Sequence, residues 1–320
     1  MVLIVNKGIH PLVKPTERHD YNGLKPVVEI YDTKLWTHPA EPTARCQVIK
    51  SVTLPKKGDE LTVIQTSDIV RPPKELIEGL RNIGSATASG ELAGLGIRDS
   101  QIRGPIGWTP NVTMVGPALT LQFMPKREDQ YGEGEYNDPE MQLHRHVLYH
   151  TQPGDIVVVD ARGDMASGVF GEMMLTYFKG RGGQGIVVDG CIRDYPTAKE
   201  LGLGIWIKGV TPNYHTQTGI FPFAVNVPIA CGERLVMPGD LIIADEDGVV
   251  VVPIKLAPQL LKRANEHREW EEFSKMMLEK GGDLRKYYPL REDAWKEYEV
   301  WKAKQDKKAK PKQKAKAKKK

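Results

Sequence analysis

A short stretch near the middle of the chain combines residue types that bind a small anion. Residues 171–174 (Gly-Glu-Met-Met) place a glycine at the expected start of a helix, where backbone N–H groups lack partners. The apolar run 186–188 is typical of a buried strand, and Arg193 and Asp194 follow it. Arginine pairs with carboxylates through two hydrogen bonds, and aspartate is a hard ligand for divalent metals. The grouping indicates a site for a small oxo acid beside a metal, unless Arg193 and Asp194 only form a surface ion pair.

The chain alternates short strands with helices, which favours a layered α/β fold over a dinucleotide-binding fold. No Gly-x-Gly-x-x-Gly motif follows a strand, and the glycine-rich residues 180–185 come after a helix, where a turn is expected. Strands are expected at 113–123, 156–160, 185–189, 205–208 and 241–252, and helices near 72–80 and at 140–151, 172–180, 195–201 and 256–280.

Several motifs occur in an order that resembles one known family. They are residues 85–89 (Ser-Ala-Thr-Ala-Ser), 116–120 (Gly-Pro-Ala-Leu-Thr), 153–160 (Pro-Gly-Asp-Ile-Val-Val-Val-Asp), 171–174, 187–194 (Val-Val-Asp-Gly-Cys-Ile-Arg-Asp) and 238–253 (Pro-Gly-Asp-Leu-Ile-Ile-Ala-Asp-Glu-Asp-Gly-Val-Val-Val-Val-Pro). Together they resemble the RraA-like family, which includes 4-hydroxy-4-methyl-2-oxoglutarate aldolases and regulators of ribonuclease activity. The resemblance implies a layered β/β/α sandwich of the swivelling type.

The resemblance also implies roles for individual residues. Arg193 would bind the carboxylate and oxo oxygens of the substrate, and Asp194 would bind Mg²⁺ or Mn²⁺. The same resemblance implies a homotrimer or hexamer. The residues expected to hold a small oxo-acid substrate through backbone and side-chain groups are Gly171, Glu172, Met173 and Met174.

One position departs from the pattern of the active enzymes. These enzymes carry an acidic residue three positions after the aspartate, where this chain has Thr197. Loss of that carboxylate is associated with the ribonuclease regulators of the family. The acidic residues that we consider as substitutes are Glu172, Glu200, Glu266, Glu269 and Glu271.

Histidines offer further chemistry. His144, His146 and His150 lie close together in the sequence, and His146 and His150 are spaced i, i+4. This spacing would allow a zinc site with Glu140 or Asp138 as a third ligand. An ordinary packing helix explains the same spacing. His215 lies in a polar loop after a strand and is a candidate proton donor. Cys191 lacks an evident histidine partner and is interpreted as a small buried side chain.

The sequence divides into four parts. Residues 1–74 form an extension outside the resemblance, whose strand-like pieces at 27–31 and 61–64 indicate a β-rich appendage or an arm over a neighbouring subunit. Residues 75–255 form the RraA-like catalytic or binding domain, and 256–301 a C-terminal helical segment. The last part, 302–320, is a lysine-rich tail predicted to be disordered.

The charge of the chain is divided between body and tail. The formal net charge is +4, yet residues 302–320 hold eleven lysines and one acid, so that the rest has 34 basic and 40 acidic residues. Nucleic acid is a conceivable partner only through this tail. The tail contains no aromatic residue, so base stacking is not implied, and a solubilising role is an equal alternative.

The composition predicts a globular protein that does not span a membrane. Hydrophobic residues make up 40% of the 320 residues, and no apolar stretch reaches the roughly 20 residues of a membrane span. Residues 1–5 are too short an apolar run for a signal peptide, so a cytoplasmic location is expected. Three widely spaced cysteines indicate neither disulfides nor a metal site.

Three functions are consistent with the sequence. The favoured one is a metal-dependent lyase that cleaves or decarboxylates a short oxo acid through a pyruvate enolate. The second is a non-catalytic regulator that binds a ribonuclease. The third is a dehydratase or tautomerase of sugar acids, which the same enolate-stabilising site would support.

Overall fold

A computed structural model of the protein describes residues 65–129, 131 and 138–317. The chain divides after Ala257 into two compact units. The predicted strands at 27–31 and 61–64 and one cysteine, Cys46, lie outside the described residues.

The first unit contains eleven strands among its described residues. Their bounds are β1 (Gln101–Ile102), β2 (Ile106–Gly107), β3 (Met114–Pro125), β4 (Ile156–Gly168), β5 (Gly185–Ile192), β6 (Gly204–Val210), β7 (Ile220–Val225), β8 (Ile229–Cys231), β9 (Arg234–Val236), β10 (Leu241–Asp245) and β11 (Gly248–Val252).

Eight α-helices belong to the described part of the chain. Their bounds are α1 (Lys74–Leu80), α2 (Ser85–Gly94), α3 (Leu143–Tyr149), α4 (Glu172–Gly180), α5 (Tyr195–Ala198), α6 (Ala257–Glu279), α7 (Leu284–Tyr287) and α8 (Glu292–Ala317). Three 3₁₀ turns lie at Pro139–Met141, Lys199–Leu201 and His215–Gln217.

One large sheet organises the first unit. Its order is β1-β11-β10-β3-β4-β5-β6-β2, and β7 also pairs with β3. Strands β3 to β6 run parallel, so their carboxyl ends meet at one edge of the sheet. At such an edge, the residues that follow neighbouring parallel strands come together, and ligands commonly bind there.

Two hydrophobic cores cover the two faces of the parallel strands. One core includes residues of α3 and α4, such as Val147 and Phe178. The other includes the β8–β9 hairpin and strands β10 and β11. All eight residues of β5 are buried between them, which explains its continuous apolar run. The predicted α/β fold is confirmed.

Most predicted elements are present, with three differences. The strand expected at 241–252 is a hairpin, because a turn at Glu246 and Asp247 separates β10 from β11. Strand β4 continues to Gly168 past Arg162 and Gly163, which both adopt positive φ and displace the register. The helix expected at 140–151 is split, because Gln142 adopts an extended backbone between a 3₁₀ turn and α3.

The segment before α1 contacts the body of the first unit. The guanidinium of Arg71 donates to both carboxylate oxygens of Asp155, at 2.9 Å and 2.7 Å. It also donates to the carbonyl of His150. Ile69 is buried in the core shared with α3 and α4. Residues 65–73, which the sequence assigns to the extension, therefore pack as part of the domain.

The second unit is helical. Helices α6, α7 and α8 enclose a small aromatic core that contains Phe273, Tyr287 and Tyr298. Helix α8 continues to Ala317, through most of the tail that the sequence predicts to be disordered. Lysine and alanine are good helix formers, which explains why a highly charged segment extends the helix. No described helix is long and apolar enough to cross a membrane.

We expect Arg71→Ala to lower the free energy of unfolding by about 3–5 kcal/mol, because it leaves the buried carboxylate of Asp155 without its cationic partner. The Asp155 side chain is only 1% exposed. Urea denaturation followed by circular dichroism measures the change. The matched control is Arg81→Ala, since Arg81 pairs with Glu78 on the surface and its loss should cost less than about 1 kcal/mol. Equal losses in the two variants would contradict the structural role of Arg71.

Candidate functional site

The end of β5 and the start of α4 meet at the carboxyl edge of the sheet. The N–H of Arg193 donates to the carbonyl of Phe170 at 2.9 Å, which ties the residue after β5 to the turn before α4. The N–H of Glu172 donates to Asp194 Oδ2 at 3.2 Å. Because Gly171 is the N-cap of α4, the backbone N–H groups of its first turn open toward Arg193 and Asp194.

Two glycines make this close approach possible. A Cβ on Gly171 would lie 2.6 Å from Asp194 Oδ2 and 2.8 Å from Arg193 Nε. A Cβ on Gly168 would lie 2.9 Å from Arg193 Cβ and 2.7 Å from the carbonyl of Asn213. A real Cβ atom does not approach other atoms this closely. Residue 171 of the motif must therefore be glycine, because Arg193 and Asp194 leave no space for a side chain there.

Asp194 and Arg193 are held in a defined arrangement. Asp194 adopts a left-handed backbone with φ 58° and is the N-cap of α5. Aspartate tolerates this conformation better than most residues. Arg193 Nε lies 3.5 Å from Asp194 Oδ2, and the guanidinium carbon lies 5.7 Å from the ring centre of Tyr214. Asp194 Oδ1 accepts no hydrogen bond from any residue that the structure describes.

A small cleft of about 100 Å³ opens beside this turn. Its size suits a ligand much smaller than a nucleotide, since pockets for drug-sized ligands measure roughly 300–1,000 Å³. Arg193 and three residues at the start of α4 line one side. The described residues that line the cleft are Gln142, His144, Gly168, Val169, Gly171, Met173, Met174, Arg193, Tyr214 and His215.

Two histidines form part of the cleft wall. His144 from α3 and His215 from its 3₁₀ turn are each 3% exposed, and their rings meet edge to face with centres 4.4 Å apart. Burial, and then the neighbouring imidazole of His215, hold the pKa of His144 well below its ordinary value. The sequence identifies His215 as a candidate for this site. It does not identify His144, because only the fold brings α3 beside His215.

Thr197 uses its side chain to support the turn. Its Oγ1 donates to the backbone carbonyl of Asp194 at 2.9 Å, and its N–H donates to the same carbonyl at 3.1 Å. Glu200 is exposed and 3.9 Å from Lys199. Among the acidic residues considered as substitutes, Glu172 is the one whose backbone contacts Asp194. The other three, Glu266, Glu269 and Glu271, lie on α6, which belongs mostly to the second unit.

The alternative zinc site at the histidines of α3 is not formed. His146 Nε2 lies 2.7 Å from the carbonyl of Glu140, and His150 Nε2 lies 2.7 Å from Thr66 Oγ1. Within residues 65–129, 131 and 138–317, no group of three His, Cys, Asp or Glu side chains is placed to hold a metal. The spacing of His146 and His150 therefore reflects packing of the helix.

Cys191 is buried, as the sequence interpretation predicts. Its Sγ lies 3.5 Å from the carbonyl of Met165. Burial, and then the neighbouring carboxylate of Asp164, raise the pKa of the thiol above its ordinary value. A thiol that resists ionisation is a poor nucleophile.

Comparison with known proteins identifies the family. The RraA-like family, described as Aldolase/RraA, matches residues 85–251, slightly more than half of the chain. The chain belongs to the RraA-like family. The match spans the β4–α4 turn, β5 and the residues Arg193 and Asp194, so the resemblance seen in the sequence is confirmed.

Relatives within the RraA-like family carry two kinds of name. A protein of Halalkalibacterium halodurans with the provisional name 4-hydroxy-4-methyl-2-oxoglutarate aldolase is 33% identical over 198 residues, which cover 62% of this chain and 86% of the relative. Streptomyces coelicolor RraAS2, described as an unusual member of the RNase ES inhibitor RraA protein family, is 46% identical with a TM-score of 0.59. That alignment covers 65% of this chain and 98% of RraAS2.

A second similar structure supports the fold alone. An uncharacterised protein of Pseudomonas syringae is 22% identical with a TM-score of 0.60, and the alignment covers 71% of this chain and 99% of that protein. The RraA-like fold is therefore retained where most residues differ.

We expect Gly171→Ala to lower ligand affinity at the cleft at least tenfold while the domain stays folded, because the added Cβ must displace the carboxylate of Asp194 or the guanidinium of Arg193. Binding of pyruvate as a probe is measured by isothermal titration calorimetry, with circular dichroism to check the fold. The matched control is Gly180→Ala at the other end of α4, where a Cβ meets nothing within 4 Å. Unchanged affinity in Gly171→Ala would show that the close approach is not needed for binding.

Proposed function

We propose that this protein is a divalent-metal-dependent lyase that cleaves or decarboxylates a short 2-oxo acid through a pyruvate enolate. The observation that supports this most directly is the meeting of Arg193, Asp194 and the α4 N-terminus at the carboxyl edge of the sheet, beside a small cleft that Arg193 and the start of α4 line. A cation, a carboxylate and free backbone donors at one place suit a reaction in which negative charge develops on a small anion.

Arg193 and the first turn of α4 would bind the acid. The Arg193 side chain is 39% exposed, so its guanidinium remains accessible to a ligand while Tyr214 restricts its position. A guanidinium offers two parallel donors that match the geometry of a carboxylate. The helix N-terminus adds backbone donors and a partial positive charge to the same wall.

Asp194 is suited to hold Mg²⁺ or Mn²⁺. Its side chain is 43% exposed, and its Oδ1 is available for a cation because no described residue donates to it. Magnesium often binds through one or two carboxylates and completes its shell with water and substrate oxygens, so a single aspartate suffices. A bound divalent cation would supply positive charge next to the enolate oxygen.

The protein's own groups would stabilise the negative charge that develops during the reaction. When the bond beta to the oxo group breaks, its electron pair forms the enolate of pyruvate. Arg193 offsets the charge that accumulates on the carboxylate and oxo oxygens. No Schiff-base lysine is required. Loss of CO₂ from oxaloacetate gives the same enolate, so one site supports both reactions.

A second candidate function is regulation of a ribonuclease. It is favoured by Thr197, which stands where the active enzymes carry an acid, and by the 46% identity to Streptomyces coelicolor RraAS2. The test is RNA cleavage by RNase ES measured with increasing amounts of this protein. Inhibition that persists when Asp194 is replaced, without any lyase turnover in the native protein, would favour the regulator. A trimer or hexamer remains a prediction for either function.

We expect Asp194→Asn to reduce metal-stimulated release of pyruvate from oxaloacetate at least about 100-fold, because the carboxylate that holds the cation is lost. Asparagine tolerates the left-handed backbone of this position, so the turn should persist. Mg²⁺ and Mn²⁺ titrations, corrected for the rate without protein, measure the effect. The control is Asp247→Asn, an exposed acid in the β10–β11 turn. Undiminished metal dependence in Asp194→Asn would place the metal elsewhere.

We expect Arg193→Lys to lower kcat/KM about 10- to 100-fold even though the charge is kept, because the planar two-donor fork is lost and a charge-assisted hydrogen bond contributes about 1.5–3 kcal/mol. Steady-state kinetics with oxaloacetate measure the loss. Arg181→Lys, at the exposed end of α4, is the matched control. Identical kinetics for the two variants would mean that Arg193 has only a structural role.

A further inference from the structure

Helix α8 extends beyond the aromatic core of the second unit. The described residues of α8 that belong to this core are Ala294, Tyr298 and Trp301. Successive residues of a helix point to different sides. Residues 303–305 and 307 are all exposed, so the helix stands clear of the core over the turn that follows Trp301.

The end of the chain, residues 303–320, carries almost only positive charge. We call these residues the lysine segment; they hold ten lysines and one acid, Asp306. Lys302 is not included, because it pairs with Glu269 of α6. The preceding part of α8, residues 292–301, has four acids and one lysine. The sign of the charge therefore changes where the helix leaves the core.

Two ordinary roles do not account for this segment. Lysines stabilise the C-terminus of a helix, but this effect is confined to about the last turn. A solubilising segment should move the net charge away from zero. Residues 1–301 have 34 basic and 40 acidic residues, whereas the whole chain has a net charge of +4. The lysines therefore bring the net charge closer to zero.

The spacing of the lysines argues against an apolar partner. From Lys308 to Lys318 a lysine occupies every second position. A period of two does not gather residues on one face of a helix that has 3.6 residues per turn. Between these lysines lie only alanine, glutamine and proline, so the segment has no large apolar side chain to insert into a bilayer or to pack in the groove of a partner protein.

The density of charge matches that of a nucleic-acid strand. The helical part of the lysine segment, residues 303–317, has seven lysines and one acid. At a rise of about 1.5 Å per residue it spans about 22 Å, which gives about one positive charge every 4 Å. Phosphates follow each other at about 3.4 Å along one strand of a duplex. A helix with this charge can therefore neutralise a row of phosphates.

We propose that the lysine segment binds the phosphate backbone of double-stranded nucleic acid without reading its base sequence. A duplex is favoured over a single strand because its charge is denser, and because the segment has no aromatic residue on which unpaired bases could stack. DNA and RNA duplexes offer the same phosphates. This binding is independent of the proposed lyase function and needs neither an oxo acid nor a metal.

The test measures binding of the full-length protein to labelled DNA and RNA duplexes of about 20 base pairs by fluorescence anisotropy. Two unrelated base sequences are used for each duplex. Six to nine phosphate contacts predict a slope of about −5 to −8 for the logarithm of the association constant against that of the salt concentration. The affinity should then fall about 10³- to 10⁵-fold between 50 and 200 mM salt.

A set of substitutions separates charge from helix structure. The variant is Lys308→Gln, Lys310→Gln, Lys312→Gln, Lys314→Gln and Lys316→Gln. Glutamine and arginine are good helix formers, so the helix should persist when either replaces lysine. Five glutamines should make the slope shallower by about 4 to 5, since each lost contact removes about 0.9. Arginine at the same five positions should keep the affinity within about threefold of the native value.

The matched control removes the same charge elsewhere and should change the slope by less than about 1. It replaces five exposed lysines by glutamine: Lys74, Lys255, Lys262, Lys275 and Lys280. Deletion of residues 303–320 should abolish binding while circular dichroism shows that the rest stays folded.

Three results would overturn the proposal. The first is an affinity that survives the deletion or the five glutamines. The second is a failure to bind either duplex at 50 mM salt, as expected if the lysines pair with the acidic remainder of the chain. The third is tighter attachment to vesicles of three parts phosphatidylcholine and one part phosphatidylserine than to either duplex.

Discussion

The site depends on the close approach of two turns that follow neighbouring parallel strands. The turn after β4 and the turn after β5 touch at Gly168 and Gly171, where any side chain would collide with Arg193 or Asp194. The parallel pairing of β4 with β5 sets the distance between these turns, and the two hydrophobic cores hold β5 in place. A guanidinium and a carboxylate therefore lie against a helix N-terminus without a long loop to position them.

The wall that carries the histidines has a different origin. His144 comes from α3, which packs on one face of the sheet, and His215 comes from a 3₁₀ turn after β6. These elements do not belong to the β4–α4–β5 unit that holds Arg193. The wall with Arg193 and the wall with the two histidines are therefore built from separate elements of the chain.

Part of this arrangement could be predicted from sequence. The apolar run before Arg193 and the glycine before α4 are local signals, so the strand, the helix and their order follow from pattern alone. The meeting of His144 with His215 is a long-range contact, and no local periodicity reports it. The extension of β4 past Asp160 depends on positive φ at Arg162, a residue type that rarely adopts it. The sequence shows only that Thr197 lacks the carboxylate that the active enzymes carry at this position. The structure shows that its hydroxyl donates to the backbone carbonyl of Asp194 and so stabilises the turn.

The complete burial of β5 has a consequence for motion in the cleft. Amide groups in a strand that is covered on both faces exchange with solvent only when the whole domain opens, so the backbone leading to Arg193 and Asp194 belongs to the most protected part of the molecule. Helix α3 has seven residues and is preceded by the extended Gln142, so it can open locally at a lower free energy. We therefore expect the two walls of the cleft to differ in local stability, with slower amide exchange in the strand that leads to Arg193 than in the short helix that carries His144.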